Sequence, residues 1–254
     1  METKTTLEYE LERAERANRQ PGSLTGLDCP ICLNRGYIFA VNEDGGYPTQ
    51  VTRECECMVK RRSIKRIERS GLKDLMRRYT FDNWETPEKW QENALRLARR
   101  FAEERDGWFL AAGRSGSGKT HLCTAICGEL LNSGMAVQYA LWRDMSVRAK
   151  AAVNDTEEYE RITEPLKTVR VLYIDDLFKT KAGVEVSPAD VNLAFEILNF
   201  RYNDSSKLTI LSTEKTLAEL MDIDEATGSR IYERSKGYRL DMANKANWRL
   251  AQHG

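Results

Sequence analysis

The sequence predicts an α/β protein: a parallel sheet flanked by helices, preceded by a small cysteine-bearing module. Two observations predict it. Four apolar runs, "GWFLAAG", "AVQYALW", "RVLYIDD" and "KLTILST", alternate with helical stretches, and buried strands joined by crossover helices make a parallel sheet. Ahead of them, residues 29–57 hold four of the chain's six cysteines among turn residues such as "NEDGGYP". The 254 residues suit one large or two modest domains, and a chain of this length buries roughly 70–75% of its unfolded surface without needing disulfides. No run of about 18 apolar residues is present, so no membrane span is expected. The charged start "METKTTLEYELERAER" lacks the apolar core of a secretory signal. A cytoplasmic location is therefore expected, where thiols stay reduced and clustered cysteines suggest metal.

The elements follow in order. Residues 7–19, "LEYELERAERANR", read as an amphipathic helix with Leu7, Leu11 and Ala14 on one face, and "QPGSLTG" breaks it. That helix either packs on the protein itself or docks a partner. Cys29-x₂-Cys32 and Cys55-x-Cys57 then supply four thiols, with 22 residues between the pairs. The histidines, His121 and His253, lie far away, so an all-cysteine tetrahedral zinc site is expected. The large apolar residues nearby (Ile31, Leu33, Tyr37, Ile38 and Phe39) are too few to fold the segment without such a staple. Residues 58–78 look helical, and Lys60–Arg78 carries nine basic against two acidic residues, net +7 in a chain of net charge +0. Its target is a DNA backbone, an acidic protein surface or acids of its own fold. The expected organisation is an N-terminal helix and zinc module over 1–58, a basic linker helix over 59–78, and the α/β domain over 79–254. Thr86 and Pro87 predict an N-cap and first position for a helix over Glu88–Glu104, with Trp90, Ala94, Leu97, Ala98 and Phe101 on its apolar face.

The chemistry concentrates after the first strand. "GRSGSGKT", Gly113 to Thr120, satisfies G-x-x-x-x-G-K-[ST] between a strand and a helix. Gly113, Gly116 and Gly118 let the backbone turn so that its N–H groups, with those of Arg114, Ser115 and Ser117, face phosphates. The helix N-terminus favours anions. Lys119 reaches the terminal phosphates, Thr120 ligates Mg²⁺, and His121 follows directly. "VLYIDDL" is a buried strand ending in Asp175, the expected Mg²⁺-associated acid, and Asp176, which orients or activates water. ATP is favoured over GTP, because "NKAN" at Asn244–Asn247 lacks the acid of a guanine-selective motif. Cys123 and Cys127, four apart on the following helix, read as buried packing residues. Arg143, Arg148 and Lys150, with Trp142, are a basic cluster suited to a single strand or simply a solvated helix face.

On "TFDNW", "GRSGSGKTHL", "VLYIDDL", "LTILST" and "GSRIYERSKGYRLDM", the last two-thirds of the chain resembles the AAA+ domain of DnaC/DnaI-type replicative helicase loaders, phage versions included. IstB-type transposition helpers share the phosphate-loop and acid motifs. The resemblance implies an ATPase that places a DnaB-type hexameric helicase on single-stranded DNA, with the N-terminal module meeting the helicase. It implies self-association through an arginine finger, Arg234 or Arg230, four apart in "GSRIYERS". A finger of this kind is worth on the order of 10³–10⁵ in rate. It places a second sensor at Arg249, in "NWR". The first sensor belongs on "LTILST", where the family has Asn after Ser-Thr and this chain has Glu214. Either Thr213 substitutes or hydrolysis is slow. The alternatives to the loader are a transposition helper and an ATP-gated DNA-binding adaptor with weak hydrolysis.

Overall fold

The structure, a computed structural model, describes residues 5–43, 47–69, 72–181 and 183–245. The chain divides into two compact units between Arg62 and Ser63.

The first unit opens with α1 (Thr6–Asn18), where Thr5 and Glu8 cap each other: the Glu8 carboxylate accepts the Thr5 N–H at 2.7 Å, and Thr5 Oγ1 accepts the Glu8 N–H at 3.3 Å. Ala14 is its buried residue; Leu11, expected on the apolar face, is exposed. An antiparallel hairpin follows, β1 (Tyr37–Asn42) with β2 (Thr49–Glu54), pairing Tyr37 with Glu54 and Asn42 with Thr49. The turn residues around "NEDGGYP" hid this hairpin from the sequence reading. Asn18 ties α1 to β1 by exchanging two hydrogen bonds with the Phe39 backbone, at 2.8 and 2.9 Å.

α2 (Cys57–Arg69) begins in the first unit and ends in the second. There follow α3 (Leu72–Arg78), α4 (Lys89–Glu104), β3 (Trp108–Gly113), α5 (Lys119–Asn132), β4 (Val137–Leu141), α6 (Trp142–Ala151), α7 (Thr156–Thr168), β5 (Val171–Asp175), α8 (Pro188–Tyr202), β6 (Leu208–Thr213), α9 (Leu217–Ile223), α10 (Glu225–Arg234) and β7 (Arg239–Met242). The second unit holds one parallel five-stranded sheet in the order β4-β5-β6-β3-β7. All four strands read from the sequence are present; β7, four residues of mixed polarity, was not foreseen.

Period-two alternation sorts the strand side chains into two layers. Phe109, Ala111, Tyr139, Val171, Tyr173 and Ile210 face the layer containing Ala98, Phe101, Leu122 and Ile126. Trp108, Leu110, Leu172, Ile174 and Leu211 face that containing Trp142, Leu193, Ile197 and Ile231.

Two expectations gain detail. The segment foreseen as a basic linker helix is helical over Cys57–Arg69 and Leu72–Arg78, and its Ile67 and Leu72 are buried in the second unit's core, because the apolar positions between the cations repeat at helical spacing. Three of its cations meet acids nearby, Arg62 with Glu54, Lys73 with Glu68 and Arg77 with Asp74. Arg61, buried in the first unit, donates to the Thr25 and Leu27 carbonyls and to Asn34 Oδ1. The second is the helix start: α4 is capped by Glu88 rather than Thr86. Gln91 reaches back to the Glu88 N–H at 2.8 Å, which satisfies an end donor that Thr86 would otherwise have to serve.

Candidate functional site

β3 runs into the glycine loop, and α5 starts at Lys119 with Gly118 as its N-cap. Gly113 and Gly118 have φ of 146° and 96°, which L side chains rarely adopt. A Cβ on Gly113 would lie 2.5 Å from the Met242 backbone, and one on Gly118 would lie 2.6 Å from the Trp84 ring. Gly116 also has positive φ, at 77°. Arg114 and Ser115 are exposed at the loop's crest, whereas Ser117 is buried and donates to the Arg114 carbonyl at 2.8 Å.

Lys119 is buried, and its ammonium donates across the loop to the carbonyls of Gly113 at 2.7 Å and Arg114 at 2.8 Å. Burial pushes its pKa down, and the Glu214 and Asp176 carboxylates oppose that push.

β5 delivers Asp175 to the same end of the sheet. Its carboxylate, 5% exposed, accepts from four hydroxyls: Tyr173 at 2.7 Å, Tyr139 at 3.1 Å, Thr120 at 3.4 Å, and Ser212. An octahedral Mg²⁺ with ligands at 2.0–2.1 Å holds neighbouring ligands about 3 Å apart, so the Thr120–Asp175 spacing fits that ion. Asp176 follows in a left-handed conformation (φ 56°) with its N–H on Ser212 Oγ at 2.9 Å. Its carboxylate pairs with Lys179 at 2.9 Å, and Lys179 pairs with Glu214 at 3.0 Å. Thr213 is turned away. It is fully buried, its hydroxyl donates to the Leu177 carbonyl at 2.8 Å and accepts the Lys215 N–H at 3.1 Å. It therefore does not substitute for the expected asparagine; the side chain presented at that strand end is Glu214.

His121 lies beside the loop, bonded through Nε2 to the Thr80 carbonyl at 2.8 Å, stacked on Tyr79 and edge-on to Trp84. Burial lowers its pKa against the raising effect of the Thr80 carbonyl. A cavity of about 80 Å³ opens here, lined by Trp84, Glu88, Gln91, Gly118 and His121 among others.

Arg230 and Arg234 lie on α10, and among the described residues neither bonds to Lys119, Asp175 or Asp176. Arg230 is committed within its own unit, donating to Asn199 Oδ1 and the Ala226 carbonyl and lying over the Phe195 and Tyr202 rings. Arg234 differs: its Nε and one terminal nitrogen are buried without a partner among the described residues. Arg249 lies outside the described residues. Trp142 is buried edge-on to Phe178, and Lys150 pairs with Asp190 at 2.7 Å. That corrects the proposed single-strand platform, since the ring is core and cannot stack on bases; Arg143 and Arg148 remain exposed. Cys123 and Cys127 are fully buried, and burial raises both pKa values, as inert packing thiols require.

In the first unit, the Cys29, Cys32, Cys55 and Cys57 sulfurs all lie within 4.8 Å of one another. Cys29–Cys55 is 3.8 Å and Cys32–Cys57 is 3.6 Å. A tetrahedron of 2.3 Å Zn–S bonds has edges of about 3.8 Å, so the cluster could hold zinc. The Gly36 N–H donates to Cys32 Sγ at 3.3 Å. That bond and the neighbouring thiols outweigh burial and lower the Cys32 pKa to about 6, while burial pushes Cys55 up to about 12.

Tyr139, Tyr173, Ser212, Lys179 and Trp84 escaped the sequence reading. Only Tyr173 carried a signal, since it stands two residues before Asp175 on one strand and so shares its face.

These features define a nucleotide-binding class, and the chain belongs to the IstB-like ATP-binding protein family, whose model matches residues 51–233. The fold is the AAA+ P-loop type. The chain is 28% identical over 254 residues to the phage-like element PBSX protein XkdC of Bacillus subtilis (strain 168), covering 93% of this chain and 92% of XkdC. It is 29% identical over 174 residues to the replicative helicase loader DnaC of Escherichia coli (strain K12), covering 67% and 68%. A crystal structure of the DnaC helicase loader superposes with a TM-score of 0.57 at 24% identity, over 64% of this chain and 96% of that one. No helix among the described residues is long and apolar enough to cross a membrane.

Proposed function

We propose that the protein is an ATP-dependent loader of a replicative DNA helicase onto single-stranded DNA. The observation that carries the reading is a glycine loop with Lys119 and Thr120 set beside Asp175, in a chain whose relatives include the replicative helicase loader DnaC. Lys119 and the N–H groups of Gly113–Thr120 would hold the phosphates, with the base against Trp84 and His121. Mg²⁺ between Thr120 and Asp175 would neutralise phosphate charge. Asp176 would orient the attacking water. Arg234, whose Nε and one terminal nitrogen are buried without a partner among the described residues, would turn out of that position to act on the nucleotide of a neighbouring copy and make hydrolysis depend on assembly. Arg230 is spent on Asn199 and the aromatic rings, so it does not share that role. Zinc on the four cysteines would staple the first unit, the part proposed to meet the helicase.

The test is capture of a DnaB-type hexameric helicase by the full chain, with ATP and with Lys119→Ala. Nucleotide-dependent capture that Lys119→Ala loses supports the reading; no capture under either condition overturns it. The family match favours a second reading, a transposition helper, for which ATP-dependent filaments on duplex DNA are the expected result.

A further inference from the structure

Glu214 is the residue that the nucleotide reading leaves unexplained. It puts a carboxylate at the strand end from which an uncharged side chain would face the terminal phosphate. Together with Asp175 and Asp176 it gives that end of the site three acids, and a polyphosphate is itself strongly anionic. Coulomb repulsion between unit charges a few ångströms apart is strong in a partly buried site. Mg²⁺ would be taken up by Asp175 and the phosphates, and Lys119 by the phosphates, which leaves Asp176 and Glu214 in need of a further cation.

Lys179 stands where that cation is needed. Its ammonium lies 2.9 Å from Asp176 and 3.0 Å from Glu214. The loop holds it there, since its own N–H bonds to the Asp176 carbonyl at 3.0 Å. Burial works against its charge, but the two carboxylates win and raise its pKa. Glu214, Asp176 and Lys179 each act electrostatically on Lys119, so the four groups form one charge system around the phosphate loop.

We infer that Lys179 is a positioning residue of the candidate nucleotide site, bridging Asp176 to Glu214 and cancelling the charge of Glu214 so that a nucleoside triphosphate can bind. Lys179 and Glu214 are then a compensated pair. Losing the lysine alone leaves an uncompensated carboxylate facing the phosphates, and losing both restores the balance. The inference rests on the nucleotide reading and adds to it which side chain makes Glu214 tolerable there.

The test measures the dissociation constant of a fluorescent, non-hydrolysable ATP analogue with Mg²⁺, on full-length wild type, Lys119→Ala, Lys179→Met, Lys179→Arg and the Lys179→Met/Glu214→Asn double variant. Lys179→Met is expected to weaken binding about tenfold or more, Lys179→Arg to stay within about threefold of wild type, and the double variant to recover to within about threefold. Thermal unfolding of each variant keeps a folding defect distinct from a binding one. Lys179→Met binding like wild type, or a folded double variant as weak as Lys179→Met, overturns the inference. Should wild type bind no nucleotide at all, the nucleotide reading fails with it. Binding that Lys119→Ala abolishes and Lys179→Met leaves intact sinks the inference about Lys179 alone.

Discussion

At the residue scale, a few polar side chains carry disproportionate weight. Arg201 is fully buried, and its guanidinium donates to the carbonyls of Leu166, Lys167, Val169 and Leu208 and to Thr209 Oγ1. Burial lowers its pKa to about 9. Truncation would strand those acceptors in the core. Arg201→Ala is therefore expected to cost about 3–5 kcal/mol, read as a fall in the chemical-denaturation midpoint. On the proposed role of Asp176, Asp176→Asn should lower ATP turnover about 10²–10⁴-fold and leave the Kd for nucleotide within a few-fold, because it would remove the group that orients the attacking water and not a phosphate donor. His121 supplies a pH signature. Its folded pKa lies below 6.5, so the unfolded chain takes the proton first and stability falls as pH drops below about 6.5. His121→Asn should flatten the acid side of the melting-temperature profile between pH 7.5 and 5.5; equal slopes would argue against a buried neutral imidazole.

At the element scale, the glycines at the two ends of the loop between β3 and α5 have no room for a side chain. Gly118→Ala would force a Cβ into the Trp84 ring at a φ of 96°. Nucleotide affinity is expected to fall at least tenfold while far-ultraviolet circular dichroism stays that of the wild type, since the helix beyond Lys119 has its own buried face. The hairpin β1–β2 and the helix α1 belong to the unit that carries the cysteine cluster. Their core is small: Cys29, Cys32 and Cys55, with Ile38 and Cys57 packed against them. The purified chain is expected to carry about one zinc per molecule. Chelation should melt the first unit while the melting transition of the five-stranded unit persists. Metal analysis that finds no zinc removes the staple.

At the scale of the whole molecule, hydrolysis is expected to depend on assembly. Among the described residues, two nitrogens of Arg234 are buried without a partner. Specific ATPase activity should therefore rise with protein concentration, and Arg234→Ala should lower it by about 10³-fold or more. Mixing Arg234→Ala with Asp176→Asn should recover part of the activity, since one copy brings an intact nucleotide site and the other an intact arginine.

Legibility follows the same division. "GRSGSGKT" and "VLYIDD" were readable because their chemistry needs contiguous residues: a loop that turns on glycine, and a buried strand that ends in acids. The four cysteines were readable because zinc demands four donors and no histidine was near. The sequence by itself thus determined the fold class, the phosphate loop, the acid strand and the candidate metal ligands. Only the tertiary structure decided what surrounds them. It spent the Thr213 hydroxyl on Leu177, buried Trp142 against Phe178 and drew the basic segment's Ile67 and Leu72 into the core. It also set Tyr139, Tyr173 and Ser212 on Asp175 and brought Lys179 between Asp176 and Glu214. Those groups come from different strands and loops, and their distances depend on strand order and register, which no local stretch of sequence encodes.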